Sequence, residues 1–364
     1  MSIEEFLAEW HNDSPTVLVH TSGSTGKPKP MFVEKRRMEA SARITCHFLG
    51  LKEGDTALLC MPLDYIAGKM MVVRAITCGL RLICVEPSGH PLAKITQRNR
   101  PYCVNYTAVR KATLLPSGGR ATLLCNFAAM VPLQVWNSLQ VPEEREQLMQ
   151  IRHLIIGGGA IDDSLAQALK DFPNYVWSTY GMTETLSHIA LRRLNGPERS
   201  DWYTPFEGVN VSLNADGCLV IDAPAVHDGP LVTNDIAELQ LPLPSERAGG
   251  ETVRFRILGR KDNVICSGGV KIQMEEVEAR LLPYVRVPYM ITKAPDERFG
   301  EQVVMLTESA DIMALQRICR EVLPKYWQPR RILTVTQLPM TPTGKPARHE
   351  AQQLASSMLP LSSQ

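Results

Sequence analysis

The sequence predicts an α/β protein in two parts. A large N-terminal part has helix-covered, mainly parallel sheets and a small β-barrel-like portion, and a small α+β part follows on a hinge. Two observations predict this. Short apolar, β-branched runs alternate with helical stretches through the first two-thirds, and after about Asn195 closely spaced strands and turns replace that alternation. The length, 364 residues, also exceeds what one core usually organises.

Thr16–Val19, Thr56–Met61, Arg81–Glu86, Tyr102–Tyr106, Arg152–Ile156 and Tyr175–Ser178 are short runs of the composition that buried strands show. Tyr65–Thr77 and Asp163–Asp171 read as helices between them, the second opened by Asp162 or Asp163 as a cap. Such alternation implies parallel strands covered by helices. Further on, Val209–Leu213 and Cys218–Ile221 flank Asn214-Ala215-Asp216-Gly217, a turn sequence that predicts an antiparallel hairpin. A Pro- and Glu-containing stretch, Leu241–Thr252, precedes the strand Val253–Leu258, and Gly259-Arg260-Lys261-Asp262 then breaks the pattern. The boundary falls there, dividing the chain into domains 1–260 and 261–364. The second domain should contain a helix Glu275–Leu282, strands Tyr289–Lys293 and Gln302–Thr307, a helix Ile312–Leu323 and a strand Arg331–Thr336. A loose polar tail is expected after Ser356.

Composition excludes several classes. Net charge is +1 and no Lys/Arg block is long enough to track a nucleic-acid backbone, so Lys35-Arg36-Arg37 and Arg192-Arg193 read as solvated faces. No apolar run reaches transmembrane length and the N-terminus lacks a signal-peptide pattern, so no membrane insertion and a cytoplasmic location are expected. Nine cysteines are scattered without C-x-x-C pairs and read as reduced core filler, with Cys266 set apart among glycines.

The chemistry is concentrated in a few short segments. Thr21-Ser22-Gly23-Ser24-Thr25-Gly26-Lys27-Pro28-Lys29 follows a strand and combines glycines, hydroxyls and lysines, the ingredients of a loop that wraps a polyphosphate. It is not the common nucleotide P-loop, which needs a glycine six places before its lysine and a hydroxyl after it; Thr21 and Pro28 stand there. A polar surface turn is the plain alternative. Gly157-Gly158-Gly159-Ala160 ends a strand with more glycines than a turn requires, as a flat ring lying against backbone would need. In Ser178-Thr179-Tyr180-Gly181-Met182-Thr183-Glu184, a tyrosine able to stack on a base leaves the strand with a threonine suited to phosphate. Glu184 can hold Mg²⁺ or can simply start a helix. Asp235, in Thr233-Asn234-Asp235, reads as a ribose ligand or an Asx turn, and Arg260 as its partner or as a surface ion pair. Ser267-Gly268-Gly269-Val270 permits close approach of an extended ligand, and Thr343-Gly344-Lys345-Pro346 sets a lysine on a rigid turn.

TSGSTGKPK, GGGA, STYGMTE, TND, GRKDNVICSGGVKI and PMTPTGK occur in the order and rough spacing of the motifs of the ANL superfamily of adenylate-forming enzymes, the acyl- and aryl-CoA synthetases, luciferases and peptide-synthetase adenylation domains. The chain is identified as a member by that resemblance, which implies site roles. Thr21–Lys27 resembles the loop that clasps the ATP phosphates. Gly157–Ala160 and Ser178–Gly181 resemble the adenine pocket, Thr183 lies near phosphate and Glu184 matches the magnesium ligand. Asp235 and Arg260 match the ribose pair and Asp262 the interdomain hinge. Gly268-Gly269 falls where relatives carry out thioester formation, and Lys345 matches the lysine that assists adenylation.

The chain departs from the family pattern twice. The resemblance implies that an N-terminal subdomain, which full-length relatives carry before the phosphate loop, is largely missing, and Tyr65 stands in the acid-pocket motif where many members have histidine. The stretches PLDYIAGKM and STYGMTETLSHIA resemble those of short o-succinylbenzoate–CoA ligases of menaquinone synthesis. That acid has a second carboxylate, so a pocket cation is expected: Lys69, one helical turn after Tyr65, or Arg74, unless these are surface charges. The implied substrates are ATP with Mg²⁺, a small carboxylic acid and coenzyme A, with a homodimer left open. A stand-alone adenylating enzyme serving a carrier protein and a non-catalytic nucleotide binder are the alternatives.

Overall fold

The computed structural model describes residues 1–20, 30–93, 95, 103–105, 112–113, 125–159, 161, 163–242, 253–341 and 346–359. The first helix, Ile3–His11, is started by a capping box: Glu5 N donates to Ser2 Oγ and Ser2 N to the Glu5 carboxylate. Phe6 and Trp10, four residues apart on one face, are its buried anchors. Strands Thr16–His20 and Pro30–Glu34 then form an antiparallel ribbon closed at the pair His20↔Pro30. The predicted phosphate loop, Thr21–Lys27, runs between those two paired ends and lies outside the described residues.

A nine-stranded sheet organises the large part. Its five central strands, Tyr175–Gly181, Ile151–Ile156, Cys125–Met130, Thr56–Leu59 and Arg81–Cys84, are mutually parallel. Antiparallel strands finish both edges: His188–Arg193 and Thr204–Pro205 on one side, Cys103–Asn105 and Ala112–Thr113 on the other. Because the central five run the same way, Leu59, Met130, Ile156 and Gly181 end on one rim of the sheet. That is where open α/β sheets bind ligands. Helix Ile66–Cys78, nearly all buried through its middle, packs beside this sheet and stops at Gly79 in a left-handed conformation (φ 68°).

A four-stranded antiparallel sheet follows, in the order Asn210–Leu213, Cys218–Asp222, Leu231–Gln240, Arg254–Arg260. The expected hairpin is its first pair. After a short 3₁₀ turn, Lys261–Asn263, a further sheet contains Val264–Ser267, Val270–Gln273, Tyr289–Asp296, Gly300–Thr307 and Arg331–Thr334, with helices Met274–Leu281, Ile312–Val322 and Arg348–Met358. Buried apolar side chains divide in the same place: one cluster runs from Phe6 to Phe255, and the others begin at Ile265.

The structure corrects two expectations. The polar tail after Ser356 begins inside the helix Arg348–Met358, whose Ala351 and Ala355 pack into the core; small side chains at i, i+4 gave little apolar signal. Arg193 is no solvated charge. It is buried, with its guanidinium 4.4 Å from the Tyr175 ring centre and 4.8 Å from that of Trp177. Among the described residues, no helix is long and apolar enough to cross a membrane.

Candidate active site

The strand ends on the common rim carry the glycines. Gly157 donates its N–H to Met130 O, and a Cβ there would lie 2.2 Å from Thr179 Oγ1, so only glycine lets the two strands close up. Gly158 (φ 83°) and Gly159 are exposed and face only Val131 and Pro132, which leaves a shallow apolar shelf. Ala160 lies outside the described residues.

On the neighbouring strand, Ser178 Oγ meets Tyr203 OH at 2.8 Å, while Tyr180 packs edge-on against Phe255. The Tyr180 hydroxyl donates to Asp235 Oδ2 at 2.6 Å. Burial, reinforced by the Asp235 charge, keeps that phenol protonated. Asp235 is not in an Asx turn after a strand. It sits within the strand Leu231–Gln240, directly opposite Arg260, and accepts from Arg260 Nη1 at 3.0 Å. Arg260 Nη2 reaches Asp262 at 2.8 Å, and Asn234 Nδ2 also donates to Asp262. Tyr180, Asp235, Arg260 and Asp262 therefore form one chain of polar contacts from the parallel rim to the 3₁₀ turn.

Glu184 starts no helix. Residues 182–187 form a tight turn in which Leu186 N donates to Thr183 O and Leu186 holds φ at +64°. A branched side chain at positive φ is strained and needs support from its surroundings. Thr185 supplies it, accepting from Met182 N and donating to Ser187 O at 2.8 Å. Thr183 is buried beside it, and among the described residues the half-exposed Glu184 carboxylate has no partner. A lone carboxylate next to a turn suits Mg²⁺, which keeps waters and phosphate oxygens as its other ligands. No cluster of three metal-ligating side chains occurs among the described residues.

Of the two cations expected near the acid, Lys69 is fully engaged. It is 3% exposed, donates to Leu18 O at 2.6 Å, lies 3.5 Å from Glu9 and sits over the Phe6 ring. It ties the first helix and strand to the helix Ile66–Cys78. Arg74 is different: it is 2% exposed and has no carboxylate partner among the described residues. Its Nη2 donates to Ser187 Oγ at 2.8 Å and lies 3.4 Å from Thr45 Oγ1, while its Nε is unpaired. His188 closes the ring, with Nδ1 at 3.1 Å from Ser187 Oγ and Nε2 at 3.2 Å from Thr45 Oγ1. Burial lowers Arg74 to about 10 and, with the Arg74 charge, holds His188 neutral. Thr45, Ser187 and His188 were not singled out from the sequence. The only available signal was that a buried arginine must be surrounded by polar groups.

Tyr65 is the half-buried residue before the helix Ile66–Cys78, and its carbonyl accepts from Lys69 N. Gly268 (φ 58°) and Gly269 (φ 83°) make a two-residue turn closed by Ser267↔Val270. Lys345 lies outside the described residues, but the pair Met340↔Pro346 closes the loop that contains it.

Comparison with known proteins gives a consistent picture. The chain is 26% identical to the 2-succinylbenzoate–CoA ligase of Geobacillus sp. (strain WCH70), over 96% of this chain and 71% of that protein. Among solved structures it resembles an acyl-CoA synthetase (AMP-forming)/AMP-acid ligase II-like protein from Dyadobacter fermentans DSM 18053 (30% identity, TM-score 0.57). That match covers 97% of this chain and 93% of the other. It also resembles the o-succinylbenzoate coenzyme A synthetase of Bacillus subtilis in complex with ATP and magnesium (21% identity, TM-score 0.69), over 92% and 69% of the two chains. The family model described as AMP-binding enzyme matches residues 4–221, more than half of the sequence, and the chain belongs to that family.

Proposed function

We propose that the chain is an AMP-forming acid–CoA ligase and that its acid is o-succinylbenzoate, as in menaquinone biosynthesis. The family membership supports the first statement. The carrying observation for the second is the buried guanidinium of Arg74, which has no carboxylate partner among the described residues and lies beside the turn that follows Gly181. An unpaired buried charge is costly, and a ligand carboxylate would relieve it. With Lys69 held by Leu18 O and Glu9, Arg74 is the cation for the distal carboxylate, and Tyr65 borders the acid.

A carboxylate is a poor acyl donor because its leaving group would be oxide. Its oxygen attacks the α-phosphorus of ATP, the bond to the β-phosphate breaks, and pyrophosphate leaves. The barrier is largely electrostatic, since an anion approaches a polyanion. In this reading Thr21, Ser22, Gly23, Ser24, Thr25, Gly26 and Lys27 hold the phosphates. The shelf at Gly157–Ala160 takes the adenine with Tyr180, and Asp235, held by Arg260, accepts from the ribose hydroxyls. Glu184 would hold magnesium, which supplies charge neutralisation at the phosphate oxygens. Lys345 steadies the carboxylate and the transferring phosphoryl group. A thiolate of coenzyme A then attacks the acyl carbon at the Gly268-Gly269 turn and AMP departs. Domains 1–260 and 261–364, hinged at Asp262, exchange the lysine for that turn by rotation. Substrates such as ATP and coenzyme A suit a cytoplasmic setting.

ATP–pyrophosphate exchange tests this. Exchange that requires o-succinylbenzoate, followed by transfer to free coenzyme A, is the expected result. No exchange with any acid identifies a nucleotide binder, and transfer only to a carrier-protein thiol identifies the alternative acceptor.

A further inference from the structure

The hairpin that presents Gly268-Gly269 joins its sheet through very little backbone. Val264–Ser267 pairs along its length with Val270–Gln273, but on its other edge it meets Gly300–Thr307 only at Ser267↔Gly300. In an antiparallel pair, alternate residues point their N–H and C=O away from the partner. Val264 O and Cys266 N are such groups, and among the described residues neither is paired in the ladder to Gly300–Thr307.

Two side chains receive them instead. Lys293 Nζ donates to Val264 O at 3.0 Å, and Glu301 Oε2 accepts from Cys266 N at 2.7 Å. The two are joined to each other, Nζ to Oε1, at 2.9 Å. They stand on neighbouring strands, where Pro295 opposes Glu301, so Lys293 is its diagonal neighbour on the same face. At the turn itself Gly268 N donates to Phe299 O at 2.9 Å, two residues before Glu301. One ion pair thus replaces a missing stretch of ladder and sets the position of the turn.

We propose that Lys293 and Glu301 are positioning residues for the thiol-accepting half-reaction. The inference rests on the proposed function. In the step it serves, the coenzyme A sulfur bonds to the acyl carbon and the acyl–oxygen bond to AMP breaks; the brace itself exchanges no atoms. Adenylation uses the lysine loop and does not need this turn, so the two half-reactions should respond differently.

The test measures each half-reaction in the full chain: ATP–pyrophosphate exchange with o-succinylbenzoate, and thioester formation from supplied o-succinylbenzoyl-AMP and coenzyme A. Glu301→Ala should slow thioester formation by about tenfold or more and leave exchange within about twofold. Lys293→Met should do the same, and Lys293→Arg, which keeps a donor, should restore most of the rate. If the alanine variant does not fold, Glu301→Gln decides, because it keeps an acceptor for Cys266 N and loses only the ion pair. Equal loss in both half-reactions, or loss in neither, overturns the inference. A wild-type chain inactive in exchange overturns the proposed function and the inference together.

Discussion

Arg348 and Glu278 meet fork to fork, Nη1 on Oε1 at 2.7 Å and Nη2 on Oε2 at 2.6 Å, and Nη1 also donates to Ile291 O at 2.7 Å. Glu278 Oε1 accepts Ile291 N as well, so the pair joins two helices and a strand. Arg348 opens the helix Arg348–Met358, where the helix dipole disfavours a cation. Its tertiary partners must outweigh that. Ala347 N donates to Pro339 O, so the same junction closes the loop that carries Lys345.

Removing one partner of a half-buried bidentate pair leaves the other charge unmatched. Arg348→Ala should therefore destabilise the chain by about 2 kcal/mol in urea unfolding. Arg348→Met combined with Glu278→Leu should recover much of it, because no charge is stranded. If the double variant is no more stable than the single one, the pairing account is wrong.

His153 sets a pH limit. It is buried against Tyr175 at a ring spacing of 4.9 Å, and neither ring nitrogen has a hydrogen-bond partner among the described residues. Burial first, then the charges of Arg152 and Arg193, push its pKa down to about 4. The unfolded chain binds this proton near an ordinary histidine pKa and the folded chain does not. Stability is therefore full above that ordinary value and falls as pH drops towards about 4, by about 2 kcal/mol between roughly pH 7.5 and pH 5. His153→Phe should flatten the acid side of a melting-temperature profile. An unchanged slope would show that the proton is taken up elsewhere.

Much of the fold was legible because strand composition and turn chemistry are local. Thr56–Leu59, Arg81–Cys84, Ile151–Ile156, Tyr175–Gly181 and the hairpin around Asn214–Gly217 lie close to where sequence puts them, whereas the central strand Cys125–Met130 was not anticipated and Cys103–Asn105 runs antiparallel at the sheet edge. Asp235 read from sequence as a ribose ligand or an Asx turn and not as a strand residue, because its opposition to Arg260 depends on sheet register. Lys69 and Arg74 look alike in sequence, five residues apart on one helix. Only packing separates them: Leu18 O and Glu9 come from elements far upstream, while Ser187 reaches Arg74 from 113 residues downstream. Periodicity carries no record of such contacts.

The contacts of Asp235 rank it above its neighbour Tyr180. Tyr180→Phe removes one donor but leaves the Arg260 pair intact, so nucleotide affinity should fall by less than about fivefold. Asp235→Ala removes the proposed ribose acceptor and leaves Arg260 with Asp262 as its carboxylate partner, and should weaken ATP binding by about fiftyfold or more. Isothermal titration measures both. A larger loss for Tyr180→Phe than for Asp235→Ala would move the ribose site away from Asp235.

Arg74 should oppose stability to activity. Its guanidinium is buried with Nε unpaired, which is costly in the empty protein, and its polar neighbours Ser187, His188 and Thr45 can satisfy one another without it. Arg74→Met fills nearly the same volume with no charge, so it should raise stability by about 1–2 kcal/mol. The same change removes the partner proposed for the distal carboxylate. KM for o-succinylbenzoate should then rise by about tenfold or more, the loss expected for a charge-assisted hydrogen bond. Benzoate, which lacks that carboxylate, should react equally poorly with both proteins. The two measurements fail in different ways: a less stable Met variant refutes the cost assigned to the buried charge, and an unchanged KM shows that the carboxylate binds elsewhere.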